Sequence, residues 1–542
     1  MNFNTLKKEL EKHPSINEVR KGFSLKNEWL SDEEAIVVSI KPEFPFTVGD
    51  EESIIALSDS VGIPIEIEYS SPNDLFELED DSPISTEFFS EINKNATNNL
   101  SQYGNITYEP PVGVNLNPTT DATSVVCSVS PDSGWDLLRD FLREAEGEVT
   151  IGMYDFTAPH ILEEIEQNFN ENITALNLVI QEKANFGSGT KKDDLPENEV
   201  IKRLQEKYGN KFNYEYAHVK GKTRIFGGYY HIKVATDRNR FWLSSGNWQS
   251  SNVPEYSPAK DNSQSPWYIS KYNREWQVKI SSKDLAEKFD KFLKHDLHES
   301  RKKNQIFRQK GLQSVSFRPE VFVPLSLLTS YGEEKILEKA KYFDPLIINL
   351  DEGRSINIQP LLTPDNFIQE IKKLLESANS SISFQNQALS INKNNNQEFM
   401  DLLQVMVDKQ NQGVDVRIII RGEFIERAKL ERLKTKGFDM SKVRLQDRCH
   451  TKGIIVDSKI CVVGSHNFSN SGTTINRDAS LIFHDKKISE YYEQIFEYDW
   501  SNLTYQKVRI GQNKYTPRIA MPNESAPPGM IKMSWDEFYG EL

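Results

Sequence analysis

Residues able to do chemistry occur twice in this chain, in one order. The later set is His450-Thr451-Lys452, Asp457, Gly464-Ser465-His466-Asn467 and then Asn476-Arg477-Asp478. The earlier set is His231-Ile232-Lys233, Asp237, Ser244-Ser245-Gly246-Asn247 and then Asn273-Arg274-Glu275. On a strand, His-x-Lys puts both side chains on one face. The residues that follow are apolar and strand-forming, and Asp-Ser-Lys or Asp-Arg-Asn reads as a hairpin turn. The returning strand then brings Ser and Asn back beside His and Lys. A neutral imidazole, an ammonium, a hydroxyl and an amide that converge suit a phosphate. Lysine and asparagine hold the nonbridging oxygens while histidine attacks phosphorus. The trailing acid, Glu275 or Asp478, can hold an imidazole N–H and stabilise the imidazolium. One His-x-Lys is weak evidence, and His218-Val219-Lys220 reads as a chance example. Two copies with the same return and trailer are not readily accidental.

The elements around these residues alternate. The stretch 133–147 has Trp135, Leu137, Leu138, Phe141 and Leu142 at helical spacing, with Ser133 placed as an N-cap. A buried strand follows (EVTIGMYDFT), then a helix opening at Pro159, a strand (TALNLVIQ), a helix (NEVIKRLQEKYG) and a strand (FNYEYAHV). The same order returns in NFIQEIKKLLESANS, SISFQNQAL, FMDLLQVMVDKQNQG, DVRIIIRG, FIERAKLERLKTKG and KVRLQ. The pattern predicts an α/β protein with two copies of one fold, each a mixed sheet flanked by helices. A small α/β domain precedes them, with a helix near Asn4–His13 and strands at Ala35–Ile40 and Ile63–Tyr69. The expected divisions are 1–120 (acidic accessory domain), 121–300 (first repeat), 301–363 (connector), 364–505 (second repeat) and 506–542 (tail). The pieces SVSFRPEVFVPL and LIINL in the connector look strand-like, but the sequence gives them no place.

The net charge of −15 over 542 residues is unevenly distributed. Residues 1–120 hold 22 acidic and 8 basic side chains, so the remaining chain is nearly neutral. That remainder has basic stretches such as His218–Arg240, which read as solvated faces or as contacts for a polyanion. The acidic block reads as a solvated accessory domain; the sharper alternative is a docking site for a protein partner, or an autoinhibitory domain whose acids mimic phosphates. No apolar run reaches the ~18–20 residues that span a bilayer, and no apolar leader is visible. Three cysteines, Cys127, Cys449 and Cys461, exclude a disulfide framework. The expected location is cytoplasmic.

The second set resembles the phospholipase D superfamily, the HKD phosphodiesterases, whose motif is H-x-K-x4-D-x6-G-S-x-N with a trailing N-x-E or N-x-D. It fits at every position. The first set has Asp237 one residue early and Ser244 in place of the glycine, which a shortened hairpin would explain. The resemblance spans about 124–503 and implies two repeats about a pseudo-two-fold, with both motifs in one active site. It implies His231, Lys233, His450 and Lys452 as catalytic, and Asp237, Asp457, Glu275 and Asp478 as supporting residues. It further implies Ser245, Asn247, Ser465 and Asn467 as phosphate-binding, with no cofactor and no metal. One histidine, carried over as His231, forms a phosphohistidine while the other serves the leaving oxygen. The loop after Asn247, longer than its later counterpart and rich in aromatics, should overhang the site.

Three functions compete. The first is hydrolysis or transphosphatidylation of a phospholipid, with a peripheral membrane contact. The second is a nuclease of the same superfamily acting on DNA or RNA. The third and weakest is an inactive scaffold. Fold does not choose among them.

Overall fold

A computed structural model describes residues 2–41, 47–69, 106–168, 173–182, 194–219, 223–260, 267–309, 320–324, 340–350, 354–391, 395–423, 425, 427–508, 518–520 and 524–534. Lys220, Lys222, residues 70–105, and the start of the SVSFRPEVFVPL piece lie outside the described residues.

The N-terminal domain holds β1 (Ile16–Lys26), β2 (Trp29–Ile40) and β3 (Ile65–Tyr69), with helices Phe3–Leu10 and Val48–Ile55. β1 is a strand that sequence reading missed. Its charged residues hide its alternation, and it turns into β2 through Asn27 and Glu28, both at positive φ (51° and 61°). Such a hairpin is normally announced by Asn-Gly, and here it is not. The domain is docked on the second repeat. Glu431, on the helix Arg427–Lys436, accepts from the Phe23 N–H (3.3 Å), Arg20 Nε (3.1 Å) and Arg427 Nε (2.9 Å). Gly22 lies against that carboxylate, where a Cβ would clash at 2.3 Å. Trp29 donates to the Met440 carbonyl, and Leu30 joins the second repeat's outer core.

The first repeat contains β4 (Ser124–Ser130), β5 (Gly147–Met153), β6 (Ile173–Ile180), β7 (Phe212–Tyr216), β8 (Lys233–Thr236), β9 (Arg240–Ser244) and β10 (Glu275–Ser281). In the connector, β11 (Glu320–Pro324) forms a small sheet with the C-terminal β21 (Arg518–Ile519) and β22 (Met530–Ser534), while β12 (Leu346–Asn349) pairs with β4. The second repeat contains β13 (Asn357–Leu362), β14 (Ser381–Asn386), β15 (Asp415–Arg421), β16 (Val443–Gln446), β17 (Lys452–Val456), β18 (Ile460–Gly464), β19 (Ala479–His484) and β20 (Thr504–Tyr505). The sheet orders are β12-β4-β10-β9-β8-β5-β6-β7 and β13-β19-β18-β17-β14-β15-β16-β20. Leaving aside the edge strands β12 and β20, the orders are the same. β5-β6-β7 and β14-β15-β16 run parallel, joined by helices, and the others are antiparallel. Two copies of one mixed-sheet fold are therefore present.

Each sheet packs amphipathic helices on its outer face. In Gly134–Glu144, Leu138, Phe141 and Leu142 are fully buried on one side. Ser133 takes the N-cap position but does not cap; its hydroxyl donates to the Phe343 carbonyl instead. The inner faces share one core, with Val278 and Phe289 from the first repeat beside Val463 and Phe496 from the second. The long helices Lys283–Gln309 and Lys486–Asn502 line it.

Two buried arginines cross this interface. Arg274 binds Asp499 through two nitrogens (2.8 and 3.0 Å) and Asp132 at 2.6 Å. Arg477 binds Asp296 (2.8 and 2.9 Å) and Asp365 at 2.9 Å. Each thus holds the C-terminal helix of the opposite repeat and an aspartate before the first helix of its own. Removing one member of a buried ion pair costs about 3–5 kcal/mol. Arg477→Gln should therefore lower unfolding stability in urea by about that amount; a change below about 1 kcal/mol would contradict this role.

Candidate active site

The two hairpins carry the motifs. β8 pairs with β9 and β17 with β18, so Ser245 and Ser465 return beside Lys233 and Lys452. From Lys233 to the strand end is four residues, against five from Lys452. This one-residue shortening gives the first motif its irregular spacing and leaves the histidine end intact.

The trailing acids then cross over. His231 Nδ1 lies 2.8 Å from Asp478 Oδ1, and His450 Nδ1 lies 2.7 Å from Glu275 Oε1. Each imidazole is thus held by a carboxylate of the other repeat. Backbone contacts fix the crossing: the Arg274 N–H donates to the Arg448 carbonyl (2.8 Å), and the Arg477 N–H donates to the Tyr229 carbonyl (2.9 Å). Ser245 donates to Glu275 (2.6 Å) and Ser465 to Asp478 (2.7 Å), while each serine oxygen accepts a backbone N–H. The serines expected to bind phosphate are therefore engaged in placing the carboxylates.

Both lysines reach back to their own histidines. Lys233 Nζ donates to the His231 carbonyl (2.6 Å). Lys452 Nζ donates to the His450 carbonyl (2.8 Å) and to Gln387 (2.7 Å), and sits 3.2 Å from the His450 ring nitrogens. Burial pushes Lys452 down to about 7 and Lys233 well below its usual value, and Lys452 deepens the second shift. Burial, with Lys452 and Lys233 adding to it, holds His450 well below 6.5. Burial raises Glu275 to about 7 and lifts Asp478 as well. An anion between the lysines opposes the lowering of Lys233, Lys452 and His450 by its charge, and raises the two carboxylates further.

The remaining expected residues divide. Asn247 is buried at the site, and its amide nitrogen donates to Gln249; Asn467 is buried at the equivalent place. Asp237 and Asp457 stand apart. They lie at the hairpin tips, about 15 Å along the strand from the lysines at ~3.3 Å per residue. Asp237 accepts from the backbone of Asn239, Arg240 and Glu146, and Asp457 from that of Asn379, Ser380 and Ser381. They tie the turn to the neighbouring strand and do not meet the histidines. In the extra loop, 261–266 lies outside the described residues. Its near end reaches the site through Asn252, whose amide nitrogen donates to Glu275 (2.6 Å) and is 3.2 Å from His450 Nδ1. Its tyrosine Tyr268 packs with Tyr256, Tyr272 and Tyr342. Sequence reading missed Asn252, Gln387 and Tyr154. The Tyr154 ring lies 5.4 Å from the Lys233 ammonium and edge-on to His231. Equivalent strand ends carry Tyr154 and Gln387, so aligning the two repeats would have found that pair. All three cysteines are buried and unpaired, and burial raises their thiols.

Residues 371–500, which contain the second motif, match a family model described as a cardiolipin synthase, PLD-like domain. A phospholipase D of Rickettsia felis is 28% identical over 99 residues, 18% of this chain and 48% of that protein. The chain thus spans about half the length of the curated relatives it matches. Among solved structures, a phosphatidylserine synthase from Haemophilus influenzae aligns with a TM-score of 0.46 at 13% identity, over 70% of this chain and 86% of that one. Nuc from Salmonella typhimurium, a phospholipase D family member, aligns with a TM-score of 0.24 at 21% identity, over 28% of this chain and 99% of that one. The matches to phospholipase D family members are thus partial, and the family model covers one of the two repeats.

Burial and the neighbouring charges leave His450 neutral and Lys452 partly neutral at pH 7. An anion placed between them should draw protons in. Sulfate, which does not itself titrate there, should bind with net proton uptake when calorimetry is repeated in buffers of different ionisation enthalpy. Release, or no exchange, would contradict these protonation states.

Proposed function

We propose that this protein is a phosphodiesterase that cleaves phospholipid diesters in two steps through a phosphohistidine. The crossed pairs carry the reading: two imidazoles, each oriented at Nδ1 by a buried carboxylate, meet beside two lysines. With Nδ1 held, Nε2 of His231 is the ring nitrogen left to attack phosphorus. The N–P bond forms, the P–O bond breaks, and His450 gives its proton to the departing oxygen. The diester's own charge brings that proton to His450, whose pKa burial and the two lysines otherwise depress. His450 then takes a proton from water, and the hydroxide displaces His231. Asp478 stabilises the imidazolium character of His231, and the lysines balance the charge that grows on the phosphoryl oxygens.

The lipid substrate draws support from the descriptions of the matched domain and of the Rickettsia relatives. Among the described residues no helix is long and apolar enough to cross a membrane. A nuclease is the second reading, favoured by the half-buried Arg421 and Arg448 near His450. Phospholipid vesicles, single- and double-stranded DNA, and RNA, each assayed with EDTA present, separate the two.

His231→Ala and His450→Ala should each reduce turnover by roughly three orders of magnitude or more, because the pair acts as a unit. Near-wild-type activity in either would overturn the shared site. Chelator should leave the rate unchanged, since Lys233 and Lys452 supply the charge; strict dependence on an added divalent ion would refute that. Rapid quench and mass spectrometry should find the phosphoryl adduct on a histidine, expected at His231, and an adduct on a serine would exclude the mechanism.

A further inference from the structure

The two ends of the site differ although the fold that builds them is the same. Lys233 pairs with Met153 across β5 and β8, and Lys452 pairs with Asn386 across β14 and β17. Met153 and Asn386 in turn pair with Ile180 and Ile420 on the next strands. The residues that follow correspond: Tyr154 with Gln387, and Gln181 with Arg421. Two positions before each histidine, Tyr229 corresponds with Arg448. The His231 end is thus walled by Tyr154 and Tyr229, which pack on each other. The His450 end carries two guanidinium groups.

One buried carboxylate organises those guanidiniums. Glu423 lies 2.9 Å from Arg421 Nε and 3.2 Å from Arg448 Nε, and it accepts the Arg448 backbone N–H at 2.8 Å. Its side chain is 4% exposed, against 14% for Arg421 and 26% for Arg448. Both arginines are held by their Nε edges, and among the described residues their terminal nitrogens have no hydrogen-bond partner. Arg421 joins the site through its N–H, which donates to the carbonyl of Gln387, whose side chain holds Lys452. Arg448 sits in left-handed backbone (φ 61°), which is strained for a residue with a Cβ. Arg421 also acts on the site electrostatically, adding to the lowering of His450. The fold does not require this arrangement, because Gln181 and Tyr229 fill the same places in the first repeat. A planar fork with its terminal nitrogens unused is a ready partner for phosphate oxygens.

We infer that Arg421 and Arg448, set by Glu423, form a subsite for a second phosphate, so that the favoured substrate is a phosphodiester whose arm beyond His450 is itself phosphorylated. The inference rests on the phosphodiesterase reading and narrows it. With His231 as nucleophile, the phosphorylated arm is the alcohol that leaves, while Tyr154 and Tyr229 face the arm that stays.

Two pairs of substrates test it. The first is a dithymidine monophosphate diester with and without a phosphate on one terminal hydroxyl, prepared at each end. The second is phosphatidylcholine vesicles containing phosphatidylglycerol or phosphatidylglycerophosphate. In at least one pair, wild-type kcat/KM should favour the phosphorylated member by about tenfold or more, and the pair that responds identifies the source. Arg448→Gln should remove most of that preference, chiefly through KM. The double variant Arg421→Gln/Glu423→Gln, which leaves no buried carboxylate unpaired, should do the same while unfolding cooperatively. No preference in either pair, or a preference that survives both variants, would overturn the subsite. Bis(p-nitrophenyl) phosphate, which has no second phosphate, is the control. If wild type fails to turn over any diester, the phosphodiesterase reading itself falls.

Discussion

Each of the two imidazoles is oriented by a carboxylate that belongs to the other half of the chain, and much of the molecule is arranged to make that exchange. Glu275 and Asp478 are fully buried, and a buried carboxylate is costly unless it is paired. Their partners are fixed by the arginine next to each, which ties its segment to the opposite long helix. The shared core presses the sheets together at the same place; Trp276 packs where any Cβ on Gly453 would sit, 2.2 Å from its ring. Neither His231 nor His450 takes its orienting carboxylate from its own repeat.

This dependence gives physical roles to residues that a motif only names. The serine of each return strand accepts one N–H and donates to the acid, so it positions the carboxylate that positions the histidine. The aspartate of each hairpin serves the turn, where backbone N–H donors and the Ser380 hydroxyl hold Asp457 down at about 2. His466, at the variable position of the second motif, stacks on Phe367 at 3.6 Å and bonds Ser480. Burial pushes it down to about 3, so it remains a neutral packing group. The histidine–lysine pairs sit at the other end of the hairpins.

The fold and the four central residues were legible because both depend on local pattern. Strand and helix periods repeat in order, and His-x-Lys places its side chains by pleat alone. The crossing was not legible. Asp478 lies 247 residues from His231, and nothing local distinguishes a carboxylate that serves its own histidine from one that serves the other. Asp132, Asp296, Asp365 and Asp499 were invisible for the same reason, although Pro-Asp precedes the first helix of both repeats. β1 was missed because charged residues occupy its exposed positions and its turn lacks glycine. Arg421 and Arg448 gained meaning only when strand register matched them to Gln181 and Tyr229.

The account depends on one site with two successive displacements at phosphorus, one for each histidine. Stereochemistry reads this directly. A diester substrate made chiral at phosphorus with sulfur and isotopic oxygen should be cleaved with overall retention, since two inversions cancel. Net inversion would mean a single displacement by water, and the paired histidines would then not divide the reaction as the crossed geometry requires.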